Sequence, residues 1–302
     1  MANGAHAYID DPRNADVKIW INGELCPRKD AKVSVLDSGF MLGDGVWEGL
    51  RVHDGKIAFL DRHLDRLEEG AKALDYELGI SREDLTRALY DTLDANIMRE
   101  GDGVHIRLMT TRGLKATPYQ DPRVTISAAT IVILPEWKTP DPKVAETGLR
   151  LFTVHVRRGY PDGQDQKLNS HSKINCITAC IQATKAGADE ALMLDPHGFV
   201  ATCNSTHFFI VRKGEVWTST GDYCLGGVTR GVIIELCREA GIPVFEKNFS
   251  LMQVYSANEA FTTGTFAGLM PVTEVDGRKI SDKRGPMVER LQALYREKIE
   301  AE

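Results

Sequence analysis

The chain has no CxxC pair among its six cysteines, no run of basic residues, no apolar stretch of membrane-spanning length and no internal repeat. Each absence excludes something. Cys26, Cys176, Cys180, Cys203, Cys224 and Cys237 lie scattered, which fits reduced thiols better than a disulfide frame or a zinc site, so no metal is expected. Cys176 and Cys180 share a helix face and read as two core thiols. A net charge of −6 without a basic or basic-aromatic stripe excludes nucleic acid as a partner. The N-terminal MANGAHAYIDDPRNADVKIW lacks a basic-then-apolar signal pattern, and no apolar run approaches the roughly 18 residues of a membrane helix. A cytoplasmic protein with no membrane partner is the expectation. With 302 residues, 42% of them hydrophobic, the chain can build two cores.

From Val17 to Val35 the pattern is of short strands joined by a tight turn at Asn22-Gly23. Gly39, Gly43, Gly45 and Gly49 then crowd one segment, a glycine-rich turn that lets backbone approach something closely, with Phe40, Trp47 and Leu50 as apolar wall. Leu64, Leu67, Ala71, Leu74 and Leu78 form a helical stripe with Gly79 just past its end. Arg62 sits in that helix's first turn, outside the stripe, where fork geometry and unpaired N–H groups suit a phosphate. A second helix opens at Ser81 with a Ser-x-x-Asp cap and runs through Leu85, Leu89, Leu93 and Ile97. Val104 to Met109 alternates as a strand, with His105 and Arg107 on the face that can meet a carboxylate and Arg112 in the loop beyond. An apolar strand around Val124 to Leu134 precedes a proline-rich stretch. We place an N-terminal domain at 1–136, a linker at 137–147 and a C-terminal domain at 148–302.

The second half mixes strands (Leu149 to Val156, Ala191 to Leu194, Thr206 to Val211, Glu215 to Thr218) with helices near 173–186, 229–240 and 286–300. Its centre is Asp165 to Asp195, where Lys167 and Lys173 lie in a polar segment that runs into an amphipathic helix. That helix has a face of Ile174, Ile177, Ala179, Cys180, Ile181 and Ala183 and ends at Gly187. A lysine held partly dry there has the chemistry to condense with an aldehyde cofactor, since burial favours the free amine. Leu225-Gly-Gly-Val-Thr-Arg-Gly231 feeds a helix N-terminus, and Thr262-Thr-Gly-Thr-Phe266 reads as a second loop of that character. Two such cradles and an arginine can hold one phosphate.

These motifs, GDGVWEGLR with FLDRHLDRL, then GADEALMLD, GGVTRG and NEAFTTGTFAGLMPVTEVDG, resemble the fold-type IV pyridoxal-phosphate enzymes. That class includes branched-chain and D-amino acid aminotransferases, (R)-amine transaminases and aminodeoxychorismate lyase. The resemblance runs from about Ile19 to Arg278. It implies an α+β chain with a small N-terminal α/β domain, a larger C-terminal pseudobarrel domain, and a homodimer with active sites at the domain interface. The implied cofactor is pyridoxal 5′-phosphate, and the implied substrates are a small amino acid or amine and a 2-oxo acid. By position, Arg62, Val228, Thr229, Gly264 and Thr265 would hold the cofactor phosphate. Trp47, Gly49 and Arg51 would line the substrate pocket with His105, Arg107, Arg112 and Phe266.

Two departures accompany the resemblance. The Schiff-base lysine of relatives falls on Asn169, which cannot form that bond. Lys173 stands where branched-chain enzymes have a tyrosine near the cofactor, and Lys167 lies two residues upstream of the usual position. Lys173 is preferred, because a helix N-terminus fixes its direction and lowers its charge. The glutamate that pairs with the pyridine nitrogen is replaced by Thr202, which can hydrogen-bond but supplies no charge. The leading expectation is a pyridoxal-phosphate aminotransferase. A lyase on the same cofactor, or a relative that binds cofactor or metabolite without catalysis, are the other readings.

Overall fold

The computed structural model describes residues 10–101 and 103–302; the first nine residues of the N-terminal stretch discussed above lie outside it. The chain folds as two compact units. One comprises 10–139 together with Leu168–Ser172 and Glu302, and the other comprises Pro140–Lys167 and Lys173–Ala301.

The N-terminal unit contains β1 (Lys18–Ile21), β2 (Glu24–Pro27), α1 (Ser38–Leu42), β3 (Gly45–His53), β4 (Lys56–Ile57), α2 (Leu60–Ala73), α3 (Arg82–Asp94), β5 (Val104–Thr111) and β6 (Thr130–Trp137). Its strands form one antiparallel sheet in the order β2-β1-β6-β5-β3-β4. The β1–β2 turn uses Asn22 and Gly23, both at positive φ, as a primed hairpin turn requires. Even-numbered β3 and β5 residues (Val46, Leu50, Val52, Val104, Ile106, Leu108) pack with Leu64, Leu67, Leu85, Leu89 and Leu93 of α2 and α3 into a single core. Ser81 caps α3 by accepting from the Asp84 N–H, as the sequence signals.

Several expectations need correction here. The glycine-rich segment is not a turn: it is the short helix α1 followed by the nine-residue strand β3. A Cβ on Gly45 would overlap the Thr110 carbonyl, so this glycine serves close strand approach. α2 stops at Ala73, because Asp75 turns left-handed, and Gly79 lies beyond. α3 stops at Asp94, and Ile97 is exposed at positive φ. The strand placed at 124–134 is β6, from Thr130, with a short 3-10 turn at Pro122–Val124 before it.

The other unit contains α4 (Val144–Thr147), β7 (Leu149–Thr153), α5 (Ile174–Lys185), β8 (Glu190–Leu194), β9 (Val200–Cys203), β10 (His207–Arg212), β11 (Glu215–Thr218), α6 (Val228–Glu239), β12 (Val244–Glu246), α7 (Leu251–Tyr255), β13 (Glu259–Gly264), β14 (Gly268–Val275), β15 (Arg278–Lys279) and α8 (Pro286–Glu300). Its nine-stranded sheet runs β12-β11-β10-β13-β14-β7-β8-β9, with β15 beside β14, and mixes parallel with antiparallel pairs. β8 is buried throughout: Leu192 and Leu194 join the large core with Phe208, Ile210 and Val272, while Ala191 and Met193 meet Ala179 and Ala183 of α5. α8 has no cap from its own N-cap residue; the buried Glu259 carboxylate accepts from Met287 and Val288 N–H instead.

α5 departs from the expected amphipathic face. Within its unit it buries its alanines, while Ile174, Ile177, Ile181 and Cys180 are exposed and Cys176 is half-buried, so the two cysteines are not core thiols. Thr262 and Thr263 belong to β13, and only Thr265 to Ala267 make the turn, so the second expected loop is a hairpin. β7 is shorter than expected, ending at Thr153. No helix among the described residues is long and apolar enough to cross a membrane.

Candidate functional site

In the C-terminal unit the candidate residues gather around the head of α6. Gly227 is its N-cap and brings no side chain to the first-turn N–H groups of Val228, Thr229 and Arg230. Val228 and Thr229 are buried. A Cβ on Gly227 would overlap the His207 ring, so glycine is what lets the helix start against β10. His207 pairs with Thr263 on β13, whose hydroxyl is fully buried with no hydrogen-bond partner among the described residues. A Cβ on Gly264 would touch the Thr206 methyl at 3.4 Å, which places the end of β13 beside the loop that follows β9. Gly264 and Thr265 are half-buried, and Phe266 is buried within the turn.

Thr202 lies on β9, just before that loop. Its hydroxyl is buried and donates to the Thr206 carbonyl at 2.9 Å, so the Thr202 oxygen presents lone pairs to any other partner. Thr206 is fixed in turn by Glu190, whose Oε1 accepts from the Thr206 hydroxyl (2.8 Å), the Ser205 hydroxyl (2.8 Å) and the Ser205 N–H (3.1 Å). Glu190 Oε2 is buried with no partner among the described residues, and burial pushes this carboxyl above its usual value. Sequence reading missed Glu190. The GADEA motif contained it, but its three donors lie more than a dozen residues on.

The two lysines separate clearly. Lys173 is half-buried and is the N-cap of α5; Lys167 is exposed, its N–H bonded to the Asp165 carboxylate. Asn169, at the position of the relatives' lysine, is buried in the N-terminal unit. There its backbone C=O accepts from the Trp47 N–H and its side-chain amide donates to the Trp47 carbonyl, continuing an edge bridge between Val46 and Ser170.

In the N-terminal unit, Trp47, Gly49, Arg51, His105 and Arg107 share the sheet face opposite α2 and α3. Strand pairing sets Gly49 beside Arg107 and Arg51 beside His105. The Arg107 guanidinium lies 3.6 Å over the Trp47 ring, and it makes no hydrogen bond to any described residue. Burial lowers its pKa, against a weaker opposing pull from Glu136. Such a cation is a carboxylate receptor in wait. Arg51 is buried, with Nη1 bonded to the Lys138 carbonyl at 2.7 Å.

Two arginines sit differently from their expected roles. Arg112 holds the Asp44 carboxylate through Nε (2.7 Å) and Nη2 (3.1 Å) and also donates to the carbonyls of Leu74 and Asp75. It closes the end of α2, and its donors are committed to structure instead of to substrate. Arg62 is exposed in the first turn of α2, its guanidinium 5.9 Å from the Phe59 ring centre. One turn on, Arg66 grips the buried Glu48 carboxylate with Nε (2.8 Å) and Nη2 (2.6 Å), and His63 Nδ1 adds a contact at 2.7 Å. Burial pushes Glu48 up, but the Arg66 charge and the two partners' hydrogen bonds outweigh it and hold this carboxyl below its usual value. The signal for this trio was a histidine and an arginine three apart inside an apolar stripe; the glutamate that joins them is on another strand. A cleft of 520 Å³ in this unit, lined by Trp20, Lys32, Leu78, Leu114 and Ile131 among others, contains none of these side chains. Among the described residues no group of His, Cys, Asp and Glu could hold a metal ion.

Comparison with known proteins places these residues in context. The family model described as amino-transferase class IV matches residues 45–275. Branched-chain-amino-acid aminotransferase-like protein 1 of Arabidopsis thaliana is 42% identical over 96% of this chain and 52% of its own length, and protein 2 is 41% identical over 94% and 51%. The chain thus spans about half the length of these two relatives. A putative branched-chain-amino-acid aminotransferase of Methanocaldococcus jannaschii is 38% identical over 93% of this chain and 96% of its own. Among solved structures, a branched-chain amino acid aminotransferase with pyridoxamine 5′-phosphate, its source given as T.th., superposes with a TM-score of 0.86 at 30% identity, covering 93% of each chain. The enzyme of Thermoproteus uzoniensis with norvaline superposes at 0.84 with 29% identity, covering 95% of this chain and 96% of that one. The fold is fold type IV, as the motifs implied.

Proposed function

The chain belongs to the class IV aminotransferase family, and from that premise we propose that it is a pyridoxal 5′-phosphate-dependent transaminase, branched-chain-aminotransferase-like, that moves an amino group between an amino acid and a 2-oxo acid. The observation that carries the reading is Lys173, half-buried at the head of α5 in the same unit as the uncapped α6 N-terminus. Class IV aminotransferases use this cofactor. The residues fit it. α6 offers N–H groups that no N-cap side chain occupies, a Cβ at Gly226 would meet open space, and the Thr263 hydroxyl is buried without a partner among the described residues.

When bound, pyridoxal phosphate supplies an aldehyde that takes up amines and a ring that draws electrons from the attached carbon. Val228, Thr229 and Thr265, with Gly264 leaving room, would hold its phosphate through backbone N–H and hydroxyl donors. Lys173 Nζ would carry the covalent attachment and move the proton between substrate carbon and aldehyde carbon. Thr202 Oγ1, its own proton given to Thr206, would offer the ring nitrogen an acceptor without charge. Arg107, flat on Trp47, would bind a substrate carboxylate. On α2, Arg66 is fixed by Glu48 while Arg62 is exposed, so anion binding by that helix falls to Arg66 before Arg62.

Borohydride reduction of the loaded protein and peptide mapping are expected to find the pyridoxyl group on Lys173. Modification confined to Lys167 overturns the assignment of the lysine, and no modification at all overturns covalent attachment. A homodimer belongs to the same proposal: Val33, Val35, Leu36, Phe40 and Leu42 expose apolar surface on one short segment, which a second copy would cover. Light scattering tests it. A cytoplasmic location rests on the six free cysteines.

A further inference from the structure

The sheet face that carries Arg107 is laid out by strand pairing in three rows across β3, β5 and β6. Trp47, Met109 and Val132 form the first, Gly49, Arg107 and Leu134 the second, and Arg51, His105 and Glu136 the third. The first row is apolar. The third is polar from end to end, and Lys138 extends it, its Nζ 3.4 Å from Glu136 Oε1 while His105 Nδ1 stands 3.8 Å from the same oxygen. Glu136 is the one acid among these residues, with 22% of its side chain exposed.

An aliphatic group pressed onto this row would strip water from a carboxylate and its cationic neighbours and return no hydrogen bond. A group that donates to Glu136 and accepts from Arg51, His105 or Lys138 would replace that water bond for bond. We propose that this row is a substrate side-chain subsite for an end group that both donates and accepts hydrogen bonds, a carboxamide being the simplest, with Glu136 as its specificity-determining residue. Its substrates then differ from the branched aliphatic amino acids for which the relatives are named. The inference rests on the transaminase reading for the use of this face by substrate. Glu136 adds to that reading a residue that neither periodicity nor motif spacing marked, because it fell in the stretch taken as the approach to a linker.

The test compares glutamine with leucine as amino donor to the cofactor-loaded protein, in wild type, Glu136→Leu and Glu136→Gln. A site built to hydrogen-bond its substrate rejects the analogue that cannot, by roughly 100-fold or more in kcat/KM. Wild type should favour glutamine by at least that margin. Glu136→Leu should shift the ratio toward leucine by roughly 10- to 100-fold, and Glu136→Gln, which keeps a polar end but loses the charge, should fall between. A wild type that prefers leucine, or a ratio unmoved by Glu136→Leu, overturns the proposal. If the transaminase reading itself is wrong, neither donor converts the aldehyde form to the amine form. Calorimetric binding of the two amino acids to the three proteins then reads the same order, and equal or leucine-favouring affinities overturn the subsite.

Discussion

Replacing Glu48 with Gln keeps the shape of a fully buried side chain and removes its charge, which makes it a clean test of what holds α2 against the N-terminal sheet. In the wild type the carboxylate accepts from Arg66 at 2.8 and 2.6 Å and faces His63 Nδ1 at 2.7 Å. Hydrogen bonds to a charged partner contribute about 1.5–3 kcal/mol each, but three on one group are not additive. A better guide is that removing one member of a buried ion pair costs about 3–5 kcal/mol, because the other charge is left in a dry place. The Arg66 side chain keeps 14% of its exposure and can turn partly to water, so the lower end, about 3 kcal/mol, is the expected loss.

The pH dependence gives the same argument a second reading. The Glu48 carboxyl lies below the ordinary glutamate value in the folded protein. A depressed carboxyl stabilises the fold above its unfolded pKa and loses that contribution as pH falls through the folded one. The margin of wild type over Glu48→Gln should therefore be full at pH 7 and shrink only below about pH 4.5. Urea unfolding followed by tryptophan fluorescence, at pH 7 and in steps down to about pH 3, measures both. A variant within about 1 kcal/mol of wild type at pH 7, or a margin unchanged at the acid end, would refute the account of this trio as a buried ion pair.

Glu190→Gln should behave in the opposite sense. Its carboxyl is raised by burial, so wild-type stability is full below the unfolded value and falls as pH rises toward the folded one; the variant should remove that slope and be at least as stable at pH 8 in urea titration. Gly227→Ala places a methyl into the His207 ring and should push the head of α6 off β10. Cofactor affinity in equilibrium dialysis is expected to drop at least tenfold, about 1.4 kcal/mol, and unchanged affinity would move the phosphate away from α6.

What could be read from the sequence was local, and what could not depended on distant partners. Asn22-Gly23, the Ser81 cap and the β5 alternation are each decided within a few residues, and all three stand in the structure. β3 was hidden because its inward face is Val46, Glu48, Leu50 and Val52: a glutamate interrupts the apolar alternation, and its reason, Arg66, lies 18 residues away. β13 was hidden likewise, since Thr262 and Thr263 are buried hydroxyls in a strand whose neighbours come from elsewhere in the chain. Arg62 and Arg66 show the same limit at the candidate site. Both lie on one helix a turn apart, and only the position of Glu48 tells which guanidinium is fixed.

Asn169 shows how a departure from a family pattern gains meaning only from structure. By sequence it is the place where a lysine is missing. In the fold it is a buried amide that answers both backbone groups of Trp47 and ties Leu168–Ser172 to the edge of β3. Paired backbone and side-chain bonds of this kind anchor a segment, because leaving either Trp47 group unpaired in a buried place costs about 1–3 kcal/mol. The chain resumes in the other unit at Lys173, four positions later, where α5 begins. The anchor at Asn169 therefore fixes the point from which the only half-buried lysine of this stretch departs, so the lost lysine and the proposed one are parts of a single rearrangement of the segment.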